Sequence, residues 1–116
     1  MTDAYKLHAT ICKTIAHPKR LQILDLLRKG EMTVNEIALK MQVSAANVSQ
    51  QLAILRGAGV VRTRQEGTSI HYRIANPKIM RAYDLMTEVL EEELATVREQ
   101  LARSRRSGRL PKARTT

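Results

Sequence analysis

"EMTVNEIALKMQVSAANVSQQLAILRGAGVV", residues 31–61, holds two short amphipathic helices with almost nothing between them. Thr33 followed by Glu36 is a capping-box pair, in which hydroxyl and carboxylate each satisfy a backbone N–H left open at a helix start. From there Val34, Ile37, Ala38 and Met41 fall on one helical face. Only Gln42 and Val43 separate Met41 from Ser44, a second N-cap, after which Val48, Leu52 and Leu55 recur at helical spacing. Gly57 or Gly59 ends this helix. Two helices joined by so short a turn form a helix-turn-helix.

Working outward, Leu7, Ile11 and Ile15 place a first helix over residues 3–16, ending near His17-Pro18, with His17 expected as a cap. Pro18 suits the first turn of a second helix, in which Leu21, Ile23, Leu24 and Leu27 face the core before Gly30 stops it. Beyond Val60 the period changes to two. Val61 and Thr63 alternate with Arg62 and Arg64, and Ile70, Tyr72 and Ile74 with Ser69, His71 and Arg73, around a turn at Glu66-Gly67. The predicted two-stranded wing turns its apolar set to the core and Arg62, Arg64, His71 and Arg73 to the open face.

Asn76-Pro77 opens a last helix running to about Ala102, with Ile79, Tyr83, Met86, Leu90, Leu94, Val97 and Leu101 spaced by threes and fours. That stripe is longer than so small a domain can cover, so a second copy of the chain is implied. The fold class is mainly α with a small β-hairpin wing: five helices plus a two-stranded antiparallel wing. Residues 1–103 form one DNA-binding and dimerisation domain, and 104–116, basic and nearly devoid of apolar residues, a disordered tail.

The chain of 116 residues carries a formal charge of +9, which makes nucleic acid the leading partner. Residues 1–83 hold 13 basic and 5 acidic groups, whereas residues 84–103 hold 2 and 6, so the surplus lies with the helix-turn-helix and wing. No signal peptide or membrane-length apolar run is present, and the expected location is the cytoplasm. The single cysteine, Cys12, excludes an intramolecular disulfide and a cysteine-rich zinc site. No Gly-rich phosphate loop, H-E-x-x-H or nucleophile with its base is legible; neither enzyme activity nor a cofactor is expected. A basic RNA-binding or ribosome-associated protein is the alternative, although Tyr5, Tyr72 and Tyr83 are the only aromatic residues, leaving few platforms for stacked bases. A dimeric protein-interaction module is the second alternative.

With Val48, Leu52 and Leu55 buried, the fourth helix leaves Ala46, Asn47, Gln50 and Gln51 for base contacts. Asn and Gln donate and accept together at the adenine edge, and alanine methyls suit thymine methyls, so A/T-containing half-sites are expected. Phosphate contacts fall to Lys40, Ser44, Ser49, Arg56, Arg62 and Arg64, with His71 and Arg73 on the wing. Arg56 has a competing structural role, because a cation is favourable at a helix C-terminus.

AHPKRLQILDLL (16–27), EMTVNEIALKM with VSAANVSQQLAILRGAGVV (31–61) and RQEGTSIHYRI (64–74), in that order and spacing, resemble the ArsR/SmtB family of bacterial winged-helix repressors over roughly residues 5–102. The resemblance implies a homodimer paired through the first and last helices, with Leu7, Ile11, Ile79, Tyr83, Met86, Leu90, Leu94 and Val97 at the interface. It implies an inverted-repeat operator in double-stranded DNA, a fourth helix in each major groove, and release by an inducer. Metal-sensing relatives carry a cysteine pair where Thr33 and Asn35 stand here, or a histidine-containing site on the last helix, where no histidine follows His71. No metal site is therefore expected, and Asp84, Glu88, Glu91 and Glu92 are read as a solvated face. In its S-Q-Q-L pattern the recognition helix is closest to thiol-sensing or non-metal relatives, yet Asp25 stands where their first cysteine would be. Cys12 is read as a buried thiol, with oxidation or an intersubunit disulfide as the alternative. The effector is left unnamed.

Overall fold

The structure, a computed structural model, describes residues 3–107. Helices α1 (Ala4–Ile15), α2 (Pro18–Leu27), α3 (Val34–Met41) and α4 (Ala45–Gly57) precede a hairpin of β1 (Val61–Glu66) and β2 (Ser69–Ile74), and α5 (Lys78–Ser107) follows. The chain divides after Met80 into two compact units.

Local chemistry sets the helix starts. Asp3 caps α1 by accepting from the backbone N–H groups of Tyr5 and Lys6. Both halves of the α3 capping box form: the Thr33 hydroxyl accepts from the Glu36 N–H at 3.3 Å, and the Glu36 carboxylate from the Thr33 N–H at 3.0 Å. Hydrogen bonding to Thr33, its backbone N–H first, holds the Glu36 carboxyl below the usual carboxylate range. The turn is made by Gln42, whose φ of 57° lies in the left-handed region that usually falls to glycine. Ser44 then accepts from the Asn47 N–H at 3.1 Å and starts α4. His17 corrects an expectation: it stands at the α2 N-cap but makes no side-chain capping bond, and its buried Nδ1 has no partner among the described residues. A cap needs a short side-chain oxygen aimed at the first turn, which imidazole does not supply.

In the first unit, Ile23 and Leu24 of α2, Ile37 of α3 and Leu52 and Leu55 of α4 are fully buried, closed off by Val48, Val60 and Val61. The two wing strands pair antiparallel as expected, in a register that sets Val61 opposite Ile74, Arg62 opposite Arg73, and Arg64 opposite His71. Met32 exchanges two backbone hydrogen bonds with Tyr72, of 3.1 and 2.8 Å, and so ties β2 to the residue preceding the α3 capping box. Ile70, expected on the core, is instead 44% exposed, because it sits at the hairpin tip beyond the reach of the helices. Met80 rather than Ile79 is the buried residue at the start of α5; Ile79 is half-buried.

No residue of α1 is fully buried, Tyr5 and Leu7 are exposed, and Ile11 is half-buried. Cys12 is exposed as well, contrary to the buried thiol expected, because α1 lies on the surface of its unit. In the second unit α5 continues to Ser107, past Ala102, so residues 104–107 of the expected disordered tail are helical. An Arg103–Glu99 pair one turn apart and two further arginines in the last turn favour that extension. The rest of the tail lies outside the described residues. Along α5, Met86, Leu90, Leu94 and Val97 are exposed and Tyr83 is half-buried.

Stability should follow this hierarchy. Leu52→Ala, at the centre of the core, is expected to cost about 2–5 kcal/mol, and Thr33→Ala, which removes one cap, about 1 kcal/mol. Urea denaturation of the two variants beside the parent protein measures both.

Candidate nucleic-acid interface

The outer side of α4 is set by what its inner side buries. With Val48, Leu52 and Leu55 in the core, Ala46, Asn47, Ser49, Gln50 and Ala53 line one shallow open surface together with Ser44. None of these side chains is charged. Gln50 is exposed and Asn47 half-buried on that surface.

Gln51 is not brought to that surface. It is half-buried, and its Oε1 accepts a 2.8 Å hydrogen bond from Nε of Arg20. Arg20 also donates from Nη1 to the carbonyl of Thr14 at 2.9 Å. Gln51 directly precedes Leu52 and lies on the flank of the buried stripe, where it finds a partner within the protein. Arg20 was absent from the sequence-level set, although a signal existed: it stands one turn before Leu24 and two before Leu27, on the buried face of α2, where a cation needs partners.

The wing also holds a pairing that its alternating pattern does not show. Arg64 grips Glu31 with Nε, at 3.1 and 3.2 Å from its two carboxylate oxygens, and with Nη2 at 2.8 Å, while Nη1 reaches Glu66 at 2.9 Å. His71 Nε2 lies 3.8 Å from the same Glu66 oxygen. Hydrogen bonds from Arg64 hold the Glu31 carboxyl below its ordinary value, and the two carboxylates raise the Arg64 guanidinium above its own. Arg64 is exposed on the open face, as the alternation suggests, and its pairing with Glu31 braces the wing to the approach to α3. Glu31 was not anticipated, because 33 residues separate the partners.

Arg62 and Arg73 behave differently. They stand opposite one another across the two strands, both exposed, and neither side chain makes a hydrogen bond or salt bridge among the described residues, although the charge of Arg73 helps to lower the Glu31 carboxyl. Like charges directly opposite on an antiparallel pair repel, and an anion between them relieves the repulsion. Lys40 in the last turn of α3 and Arg56 in that of α4 add exposed cations. Among the described residues no three His, Cys, Asp or Glu side chains are arranged to hold a metal ion, and no helix is long and apolar enough to cross a membrane.

An uncharged amide-bearing helix presented by a tight turn, beside a two-stranded hairpin with a pair of open arginines, defines a winged helix-turn-helix DNA-binding regulator. Comparison with known proteins agrees. Residues 17–63 match the family described as bacterial regulatory protein, arsR family. An uncharacterized HTH-type transcriptional regulator of Mycobacterium tuberculosis, Rv0081, is 40% identical over 92 residues, which span 78% of this chain and 81% of that protein. Its crystal structure has a TM-score of 0.74 at 38% identity, covering 83% of this chain and 97% of that one. The biofilm growth-associated repressor of Agrobacterium fabrum is 41% identical over 78 residues, 67% of each protein. A homodimeric winged helix-turn-helix DNA-binding domain from Mycobacterium bovis, solved by NMR, has a TM-score of 0.71 at 38% identity, covering 78% of this chain and 83% of that one. The chain belongs to the ArsR family of bacterial transcriptional regulators.

The Arg64 brace makes the wing pH-dependent in a definite sense. Because the folded-state Glu31 carboxyl is depressed, its contribution is complete above the ordinary carboxylate value of 4.5 and is lost as the pH falls through the depressed value. Glu31→Gln should therefore be less stable than the parent near neutrality, and the difference should vanish in acid. Denaturation midpoints of the two proteins, measured from neutral pH downward, test this.

Proposed function

We propose that this chain is a non-enzymatic transcriptional repressor that works in the cytoplasm as a homodimer, binding an inverted-repeat operator in double-stranded DNA. The observation that carries the reading is the division of labour on one surface. The face of α4 is free of charge, while exposed cations stand on the wing and at the ends of α3 and α4. Each α4 enters a major groove, and half-sites lie about 34–36 Å, one helical turn, apart. Ala46, Asn47 and Gln50 meet base edges with a preference for adenine and thymine. Ser44, Ser49, Lys40, Arg56, Arg62, His71 and Arg73 meet the phosphates, while Arg64 keeps the wing in place.

The exposed apolar residues support self-association: Leu7 on α1 and, separately, Met86, Leu90, Leu94 and Val97 along α5 are side chains that water does not favour. Ile11, Ile79 and Tyr83, half-buried in the single chain, complete the proposed interface. The homodimeric relative from Mycobacterium bovis supports the same assembly. Repression is supported by the relative named as a repressor in Agrobacterium fabrum.

Selection of binding sites from random duplex DNA, followed by variants at the two kinds of contact, tests the reading. Gln50→Ala should cost about 1–3 kcal/mol on the selected site and relax preference at one position of each half-site. Arg62→Ala should weaken every duplex alike and flatten the salt dependence by about one unit for each wing. Recovery of G/C-rich half-sites without adenine would overturn the base assignment. Tighter binding to structured RNA than to any selected duplex would overturn the function itself.

A further inference from the structure

A dimeric regulator discriminates half-site spacing only if each recognition helix is held rigidly to the helices that join the two copies. In this chain one side chain makes that tie by hydrogen bonds. Arg20 lies half-buried on α2, between the end of α1 and the flank of α4. One nitrogen donates to the Thr14 carbonyl in the last turn of α1, where the helix leaves its carbonyls without internal partners. Another donates to the Gln51 side chain on α4. A guanidinium is planar and its donors are fixed in a fork, so a slide or tilt of α4 against α1 must break one bond or the other.

We propose that Arg20 is a positioning residue that locks the recognition helix to α1, with Gln51 as its anchor, and so sets the half-site spacing the dimer accepts. This rests on the reading of the chain as a dimer, paired in part through α1, on an inverted repeat. Gln51 then acts inside the protein frame. Its carbonyl oxygen accepts from Arg20, which holds the amide toward α2.

The test uses the full chain on duplexes that carry the selected half-sites at the preferred spacing and at spacings one and two base pairs longer or shorter. Gln51→Leu keeps the bulk and the Arg20–Thr14 bond but removes the acceptor; Arg20→Met removes both bonds; Gln51→Glu keeps an acceptor. Gln51→Leu and Arg20→Met should lower the preference for the best spacing about tenfold, the scale of one hydrogen bond to a charged group, with the base preferred at each position unchanged. Gln51→Glu should keep the spacing preference. A thermal melt confirms that each variant is folded, and Gln51→Leu alone decides the matter where Arg20→Met is not. Were Gln51→Leu to change the preferred base at one position while keeping the spacing preference, Gln51 would be a base reader and the inference would fall. The same follows if a folded Gln51→Leu retains both preferences. A parent protein that selects no inverted repeat overturns instead the functional reading beneath the inference.

Discussion

Helix α4 has 13 residues, a length at which an isolated helix is marginal in water. It persists because Val48, Leu52 and Leu55 are pressed into the core against α2 and α3. That burial fixes the rotation of the helix about its own axis, and with it the identity of the side chains that face outward. The tight turn at Gln42 and the caps at Thr33 and Ser44 then fix where the helix begins. Everything on the outer side of α4 inherits its position from these few contacts, most of them made by residues that face the protein interior.

Attraction and discrimination are separated in space. The sequence has a large positive charge, but much of the wing's share is spent internally: Glu31 and Glu66 together more than balance Arg64. What stays open is the Arg62–Arg73 pair with Lys40 and Arg56 at helix ends. The amide face of α4 carries no charge of its own, so its fit to a base sequence is not swamped by an indiscriminate pull on phosphate.

Elements defined by periodicity and caps were legible in the sequence. The Thr33–Glu36 box, the α4 stripe and the wing register depend on residues close together in the chain, where spacing alone dictates geometry. Partnerships across distant segments were not legible. The alternation of β1 says that Arg64 faces out, but not that Glu31 waits there, and the helical wheel puts Gln51 at an edge without saying which way it turns. Cys12 and the length of α5 were misjudged for a related reason. Burial on α1 depends on what covers it, and charge pairs such as Arg103–Glu99 extended α5 through residues that composition assigned to a tail.

The opposition of Arg62 and Arg73 has a consequence for how the free protein meets its surroundings. Two cations held opposite one another by a backbone ladder repel, and counterions drawn to them relieve that repulsion. Binding DNA is then a displacement, and the identity of the resident ion matters as well as the ionic strength. A multivalent oxyanion that spans both guanidinium groups competes as a phosphate mimic, whereas chloride merely screens.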